Sequence, residues 1–239
     1  MSNVSGVPPA DCALVSSSGA LLASAAGEAI DRHRLVMRIG ISPTYGSFST
    51  HVGEKTHIRL MQLAFFQTWR NMSTAALAAV IQHDITRMGS VNLSFMGTRG
   101  EMRDLGPRAA DFMRVSLPAM SYDAFSPHSR CRLAGCLLGA RTLKPRKPSG
   151  GLHAMEALFS RYGCSSVGLY GFDDPDTGRW PYHYWKDGSY HDGMASAKFY
   201  RRKFEEDLLG HDFAAEHWFL FQVLGQASWR CAICTCIHT

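Results

Sequence analysis

The sequence contains no long hydrophobic run. None of its apolar stretches reaches the roughly 20 residues that a helix needs to cross a bilayer. The longest, residues 12–30, is broken by serines and ends in charged residues. The first ten residues lack the basic start and apolar centre of a signal peptide. We therefore expect a linker or disordered segment over 1–10, and a membrane anchor to be missing from this chain.

A strong charge of either sign is also missing. Charged residues make up 19% of the chain and the net charge is only +5, which is too weak a balance to indicate nucleic-acid binding. The basic residues are scattered, with no aromatic platform for bases between them. A mildly basic surface instead suits an anionic small ligand. With 46% hydrophobic residues, residues 11–239 are expected to form a single folded domain.

The standard nucleotide-binding motifs are absent, because neither G-x-G-x-x-G nor G-K-[ST] occurs. Two small-residue corners are present instead. The first, "SSSGA" at 16–20, follows the apolar segment "CALV", and the second, "PSGG" at 148–151, opens an amphipathic helix. Strand, turn, helix and strand in succession predict an α/β fold with a mainly parallel sheet. Two corners at the carboxyl ends of its strands would form a ligand crevice.

The remaining elements follow from periodicity and turn residues. We predict buried strands at "LVMRIG" (35–40) and "SSVGLYGF" (165–172), and a loop over 42–56. Residues 58–86 are predicted to hold a strand and then a helix. Residues 97–147 are predicted to be helices joined by loops, where an acceptor-binding insertion could lie.

Four blocks resemble, in order, the sialylmotifs of the animal-type sialyltransferase family. Residues 11–57, with "IDRHRLVMRI" and "VGEKT", resemble the large motif. Residues 148–172, from Pro-Ser-x-Gly to Tyr-Gly-Phe, resemble the small motif. "YHYW" at 182–185 is similar to the motif of members that act on galactose 3-hydroxyls, and "HDFAAE" at 211–216 fits His-x4-Glu.

The resemblance implies a Rossmann-like α/β domain, the sialyltransferase-type variant of the GT-A fold, with helices flanking the sheet. It implies an inverting transfer of sialic acid, or a related nonulosonic acid, from its CMP ester to a galactose-type hydroxyl of a glycan. The partners would be the CMP-sugar donor and the galactoside acceptor, with no obligatory metal or other cofactor. Family members are type II membrane proteins of the Golgi lumen.

The resemblance also assigns roles to individual residues. His211 would be the general base, because a neutral imidazole with an ordinary pKa near ~6.5 can accept the acceptor's proton. His183 would stabilise the charge that builds on the phosphate of the leaving CMP. Glu216 would order the His211 segment. The nucleotide-sugar would be bound by Ser16, Ser17, Ser18, Gly19, Gly40, Ser149, Gly150, Gly151, Gly171 and Tyr184.

Seven cysteines leave at least one thiol outside any set of pairs. Cys12 and Cys164 match the two family cysteines that form a disulfide between the large and small motifs. Such a bridge requires an oxidising compartment. "CAICTC" at 231–236 is open to two interpretations, further disulfides with Cys131 and Cys136 or a soft-metal site.

Two positions depart from the family pattern and mark a divergent member. Ser17 and Gly40 stand where the family usually carries asparagines that hydrogen-bond the nucleotide. Two alternatives therefore stay open, a catalytically impaired relative that binds CMP-sugar without turnover, and a zinc- or thiol-dependent regulatory domain built on "CAICTC".

Overall fold

A parallel sheet of six strands organises the protein, described in a computed structural model over residues 10–63, 74–97, 99–116, 121–125, 149–172 and 183–185. Every neighbouring pair of strands runs parallel, in the order β5-β4-β3-β2-β1-β6. This confirms the parallel α/β sheet predicted from the sequence and the Rossmann-like arrangement that the family resemblance implies. The strands are β1 Ala10–Val15, β2 Leu35–Ile39, β3 Ile58–Gln62, β4 Asn92–Met96, β5 Ser121–Phe125 and β6 Cys164–Tyr170.

Helices connect the strands and cover the sheet. The described ones are α1 Gly27–Arg32, α2 Ser49–Val52, α3 Thr74–Met88, α4 Arg99–Asp104, α5 Gly106–Ser116 and α6 Gly150–Ser160. Short 3-10 turns lie at Gly19–Ala23 and Gly46–Phe48. No helix in these ranges combines the length and the apolar character that crossing a bilayer requires.

The apolar residues of the strands alternate between the two faces of the sheet, as the period of a strand demands. One face of the sheet, with Leu14 and Met37, packs against the buried side of α6, where Leu152, Met155 and Leu158 lie. These residues form the buried face of α6, the helix predicted to be amphipathic. The opposite face carries two further cores. In one, β1 and β2 pack against α1 and α2, with Ala13, Val15, Val36, Ile30 and Val52 buried between them. In the other, β3 and β4 pack against α3 and α5, with Met61, Leu93, Phe95, Ile81 and Ala109 buried.

Strand β1 therefore lies at the switch point of the sheet, where the order in which the strands are added reverses. The chain proceeds outward from β1 through β2, β3, β4 and β5, and later returns through α6 to place β6 on the other side of β1. Open α/β sheets bind ligands in the crevice outside the carboxyl ends of the strands on either side of such a reversal. The C-terminal ends of β1 and β6 are thus the expected position of a site.

Three predictions about elements need correction. Residues 97–147 were predicted to be helices and loops, yet β5 (121–125) completes one edge of the sheet. The predicted loop over 42–56 contains α2. The strand predicted to be buried at 165–172 is β6, which is mostly half-buried because, among the described residues, β1 alone pairs with it.

The Cys12–Cys164 disulfide is present, as the family resemblance predicted. It joins β1 to β6 across 152 residues of sequence, with the two Cα atoms 6.0 Å apart. Both cysteines are buried in the core beneath α6. The covalent link holds together the two strands whose carboxyl ends flank the expected crevice.

Removal of this disulfide is expected to lower the free energy of unfolding by about 2 to 4 kcal/mol, because the unfolded chain regains the entropy of a large closed loop. The Cys12→Ser/Cys164→Ser double variant and the parent chain would be unfolded in urea with and without reductant. We expect the reductant to shift the midpoint of the parent towards that of the double variant. Equal midpoints for the two proteins in the absence of reductant would contradict a stabilising bridge.

Candidate functional site

The first corner directly follows β1 at the switch point. The Ser16 backbone N–H donates to the Tyr170 carbonyl over 2.9 Å, which continues the β1–β6 ladder by one residue. The chain then turns, and the Ser18 side-chain oxygen accepts from the Ala20 N–H over 3.2 Å. Serine is a preferred cap because its hydroxyl replaces the missing backbone acceptor. The corner predicted from "SSSGA" is thus a capped turn at the carboxyl end of β1.

The second corner also lies at the carboxyl ends of the strands. Ser149 caps α6, with its hydroxyl accepting from the Leu152 N–H over 3.3 Å. A Cβ atom added at Gly150 would collide with the side-chain amide of Gln62, the last residue of β3. One added at Gly151 would stand 2.8 Å from the ring of Phe172, just after β6. A side chain at either position would have to displace Gln62 or Phe172, because the start of α6 approaches these two strand ends closely.

Residues 183–185 reach the first corner from far along the chain. His183 pairs with Ser18 in an isolated antiparallel β-bridge, and the Tyr184 N–H donates to the Ser17 carbonyl over 3.2 Å. The His183 ring stacks on the Trp185 ring, with centroids 4.6 Å apart. The structure therefore brings the predicted phosphate partner, His183, against the predicted nucleotide-binding turn.

Tyr184 anchors this segment from below. Its side chain is buried beside Phe48, and its hydroxyl donates to the Pro43 carbonyl over 2.6 Å. Burial raises the pKa of Tyr184, so the hydroxyl stays protonated and remains a donor at neutral pH. Tyr184 was predicted to bind substrate, and the structure places its hydroxyl against the loop that follows β2.

Two glycines among the predicted binding residues adopt left-handed backbone conformations. Gly40, after β2, has φ +71°, and Gly171, after β6, has φ +76°. A Cβ atom at Gly171 would press on the Ser16 hydroxyl and on Leu21, whereas one at Gly40 would meet nothing within 4 Å. Space for a side chain therefore exists at Gly40 and not at Gly171.

A buried ionic network supports the loop that holds Tyr184. Asp84 on α3 is fully buried and accepts hydrogen bonds from Arg59 Nε, from Thr44 Oγ1 at 3.1 Å and from Thr56 Oγ1 at 3.2 Å. Arg59 also donates to the carbonyls of Gly40 at 2.9 Å and Ser42 at 3.0 Å. One carboxylate and one guanidinium thus fix residues 40–44 from within the core.

Arg38 adds a second cation to this interior. It is fully buried and donates to Thr56 Oγ1 over 3.0 Å and to the Lys55 carbonyl over 2.9 Å. Burial lowers the pKa of Arg38 to about 10, which still leaves it charged at neutral pH. The network was missed in the sequence, although single arginines inside the apolar segments "LVMRIG" and "IRLMQL" are a signal that could have revealed it.

The structure brings most of the predicted site together at the carboxyl ends of the strands. Both corners, Gly40, Gly171 and residues 183–185 lie there. The predicted base His211, its neighbour Glu216, and the cysteines of "CAICTC" lie outside the described residues. Within the ranges that the structure covers, no three His, Cys, Asp or Glu side chains are grouped so as to hold a metal ion.

Comparison with known sequences identifies related proteins. A family model described as glycosyltransferase family 29 (sialyltransferase) matches residues 4–214. CMP-N-acetylneuraminate-beta-galactosamide-alpha-2,3-sialyltransferase 1 of Homo sapiens is 30% identical over 183 residues, which are 73% of this chain and 47% of the relative. The corresponding sialyltransferase 2 of Mus musculus is 26% identical over 184 residues, 75% of this chain and 47% of the relative. The chain spans about half the length of these curated relatives.

Comparison with solved structures supports the fold. A crystal structure of a mammalian sialyltransferase in complex with Gal-beta-1-3GalNAc-ortho-nitrophenol superposes with a TM-score of 0.50 at 23% identity. The match covers 83% of this chain and 67% of that one. A second crystal structure of a mammalian sialyltransferase matches with the same TM-score at 22% identity. The Rossmann-like sheet and its flanking helices are therefore of the sialyltransferase type.

Proposed function

The chain belongs to glycosyltransferase family 29, the sialyltransferases, and on this premise we propose that it transfers sialic acid, or a related nonulosonic acid, from its CMP ester to a galactose-type hydroxyl of a glycan. The observation that carries the proposal is the pairing of His183 with Ser18 at the switch point. It brings an imidazole-bearing segment to the turn where an open α/β sheet binds its ligand.

The proposed reaction is a single in-line displacement. The acceptor hydroxyl oxygen forms a bond to the anomeric carbon of the sugar as the bond from that carbon to the CMP phosphate oxygen breaks. The electron pair of the broken bond stays on CMP, so negative charge grows on its phosphate. His183 donates a hydrogen bond to this phosphate, and the configuration at the anomeric carbon inverts because no enzyme nucleophile intervenes.

The proton of the acceptor hydroxyl goes to His211 in this proposal, with Glu216 ordering the segment that carries the base. Histidine suits the task because its ordinary pKa lies near ~6.5, close to the pH at which it must exchange a proton. His183 takes the charge-stabilising role that a metal ion fills in other transferases, and we propose that no metal is required.

The proposed setting is the Golgi lumen. The Cys12–Cys164 disulfide supports an oxidising compartment, since such bonds are rare where glutathione keeps thiols reduced. The donor is an anionic nucleotide-sugar, and the mildly basic chain, with a net charge of +5, favours its approach.

The direct test is incubation of the 239-residue chain with CMP-sialic acid and a panel of galactosides, with measurement of CMP release. Acceptor-dependent release would support the transferase. Clear CMP binding without release for any acceptor would instead indicate the catalytically impaired relative. Chelation of metals with EDTA is expected to leave the rate unchanged, and a loss of activity restored by a divalent cation would contradict the metal-free mechanism.

Restoring the family asparagine at position 40 is expected to strengthen CMP binding. Gly40 has φ +71° and free space where a side chain would go, and asparagine tolerates the left-handed region better than most residues. One added hydrogen bond of about 0.5 to 1.5 kcal/mol predicts an affinity about 2- to 12-fold higher in Gly40→Asn, measured by calorimetry.

Gly89→Asn is the matched control for this gain. Gly89 has a similar φ of +74° and equally open surroundings. It follows α3 and precedes β4, so it lies at the amino ends of the strands, away from the candidate site. It should leave CMP affinity unchanged. An equal gain from both variants, or none from Gly40→Asn in a folded protein, would exclude position 40 from nucleotide binding.

A further inference from the structure

We propose that Ser16 is a positioning residue of the candidate site. Its hydroxyl group links the carboxyl end of β1 to that of β6 and fixes the conformation of the turn that contacts the His183 segment. The sequence suggested that this hydroxyl contacts the ligand. The geometry points to an internal task instead. Its effect on catalysis rests on the proposed transferase function, whereas its effect on the turn does not.

The Ser16 hydroxyl is engaged as both donor and acceptor. Its hydrogen goes to the Gly171 carbonyl, with 2.6 Å between the two oxygens, across 155 residues of sequence. Its oxygen accepts the Ser18 N–H over 3.1 Å. A serine oxygen that accepts from the amide two residues ahead folds the chain back on itself, as in an ST-turn. One side chain therefore determines where the strand β1 ends and how Ser17 and Ser18 are presented.

Gly171, the residue that accepts this hydrogen bond, leaves space for the Ser16 hydroxyl. Gly171 has φ +76°, and a Cβ atom there would come within 2.5 Å of Ser16 Oγ and 2.9 Å of Leu21 Cγ. A contact this close is possible only because glycine has no side chain. The hydroxyl and the bare backbone at Gly171 thus form one joint between β1 and β6, at the opposite end of the strand pair from the Cys12–Cys164 disulfide.

The joint acts on His183 through two backbone contacts. Ser18, whose N–H is held by Ser16, forms the β-bridge with His183. The Ser17 carbonyl, within the same turn, accepts the Tyr184 N–H over 3.2 Å. A change in the turn would therefore shift the segment that carries the imidazole, through Ser17 and Ser18.

Ser16→Ala is the test, and Ser166→Ala is its matched control. Ser166 Oγ donates to Asp11 Oδ1 over 3.1 Å, so it too links β6 to β1 through a serine hydroxyl across 155 residues, but at the other end of the strands. Both variants would be compared with the parent chain by hydrogen exchange of the Ser18 amide and by calorimetric titration with CMP. The kcat and KM for CMP-sialic acid would be measured on the same three proteins.

We expect the Ser18 amide of Ser16→Ala to exchange at least about tenfold faster, because its acceptor is gone, and CMP affinity to fall about tenfold. The kcat should fall as well, because His183 moves with the turn. Ser166→Ala should match the parent chain in all three measurements. Urea unfolding of the three proteins would separate this pattern from a general loss of stability, because the Ser16 hydrogen bond is partly buried whereas that of Ser166 is exposed.

Unchanged exchange and CMP affinity in Ser16→Ala, or equal changes in the two variants, would overturn the proposal. Failure of the parent chain to bind CMP or turn over the donor would remove the proposed function. Hydrogen exchange would still decide the positioning role in that case, because it needs neither ligand nor activity.

Discussion

Asp84→Ala is expected to lower the free energy of unfolding by about 3 to 5 kcal/mol, the cost typical of removing one partner from a buried ion pair. Asp84 and Arg59 are both fully buried. Alanine would leave the Arg59 guanidinium charged and without its carboxylate in the core. It would also take away the acceptor used by the hydroxyls of Thr44 and Thr56.

Urea unfolding followed by circular dichroism would measure this loss. Asp104→Ala is the matched control, since Asp104 also pairs with an arginine, Arg103, at 2.7 Å, but on the surface. That substitution is expected to leave the unfolding curve unchanged, because exposed pairs contribute little. Similar curves for the two variants would show that the buried pair does not stabilise the fold.

The same substitution should also affect the candidate site. Arg59 holds the carbonyls of Gly40 and Ser42, and the next carbonyl, that of Pro43, accepts the Tyr184 hydroxyl. Loss of Asp84 therefore loosens the support of the His183 segment. We expect Asp84→Ala to bind CMP more weakly than Asp104→Ala, at a temperature where both proteins are folded.

His183→Ala is expected to lower kcat about 100- to 1,000-fold, the range seen when one donor to a developing negative charge is removed. The interaction grows as charge moves onto the phosphate of CMP, so kcat and kcat/KM should fall by similar factors. The measurement is steady-state CMP release at saturating acceptor and varied donor. Circular dichroism of the variant would establish that the fold is intact.

His51→Ala provides the comparison. His51 lies on α2, where its ring contacts the Ser24 carbonyl at 2.7 Å, outside the switch point. It should retain the kcat of the parent chain. An unchanged kcat in a folded His183→Ala protein would remove His183 from the chemistry, while a rise in KM alone would assign it to binding without preference for the transition state.

Much of the architecture could be predicted from local patterns. The strand at 35–39 and the helix at 150–160 agree with apolar periodicity, and the two corners follow from their small residues. The strand β5 was missed because "SYDAF" has only five residues, interrupted by Ser and Asp, and within the described ranges it pairs with β4 alone. A strand of this kind forms because a neighbour offers hydrogen bonds, which no local pattern records.

The order and spacing of the motifs in the sequence were sufficient to identify the family, the fold class and the Cys12–Cys164 pair. Only the tertiary structure revealed that Ser16 meets Gly171 and that Asp84 neutralises Arg59, because these contacts join residues 155 and 25 positions apart. The sequence determines what a side chain can bind, but the residue with which it forms a hydrogen bond or ion pair depends on which strands become neighbours. The order of the strands, with β6 beside β1, therefore decides which hydroxyls and charged groups bind one another inside the protein. It also decides which groups are left at the carboxyl ends of the strands, where a ligand would bind.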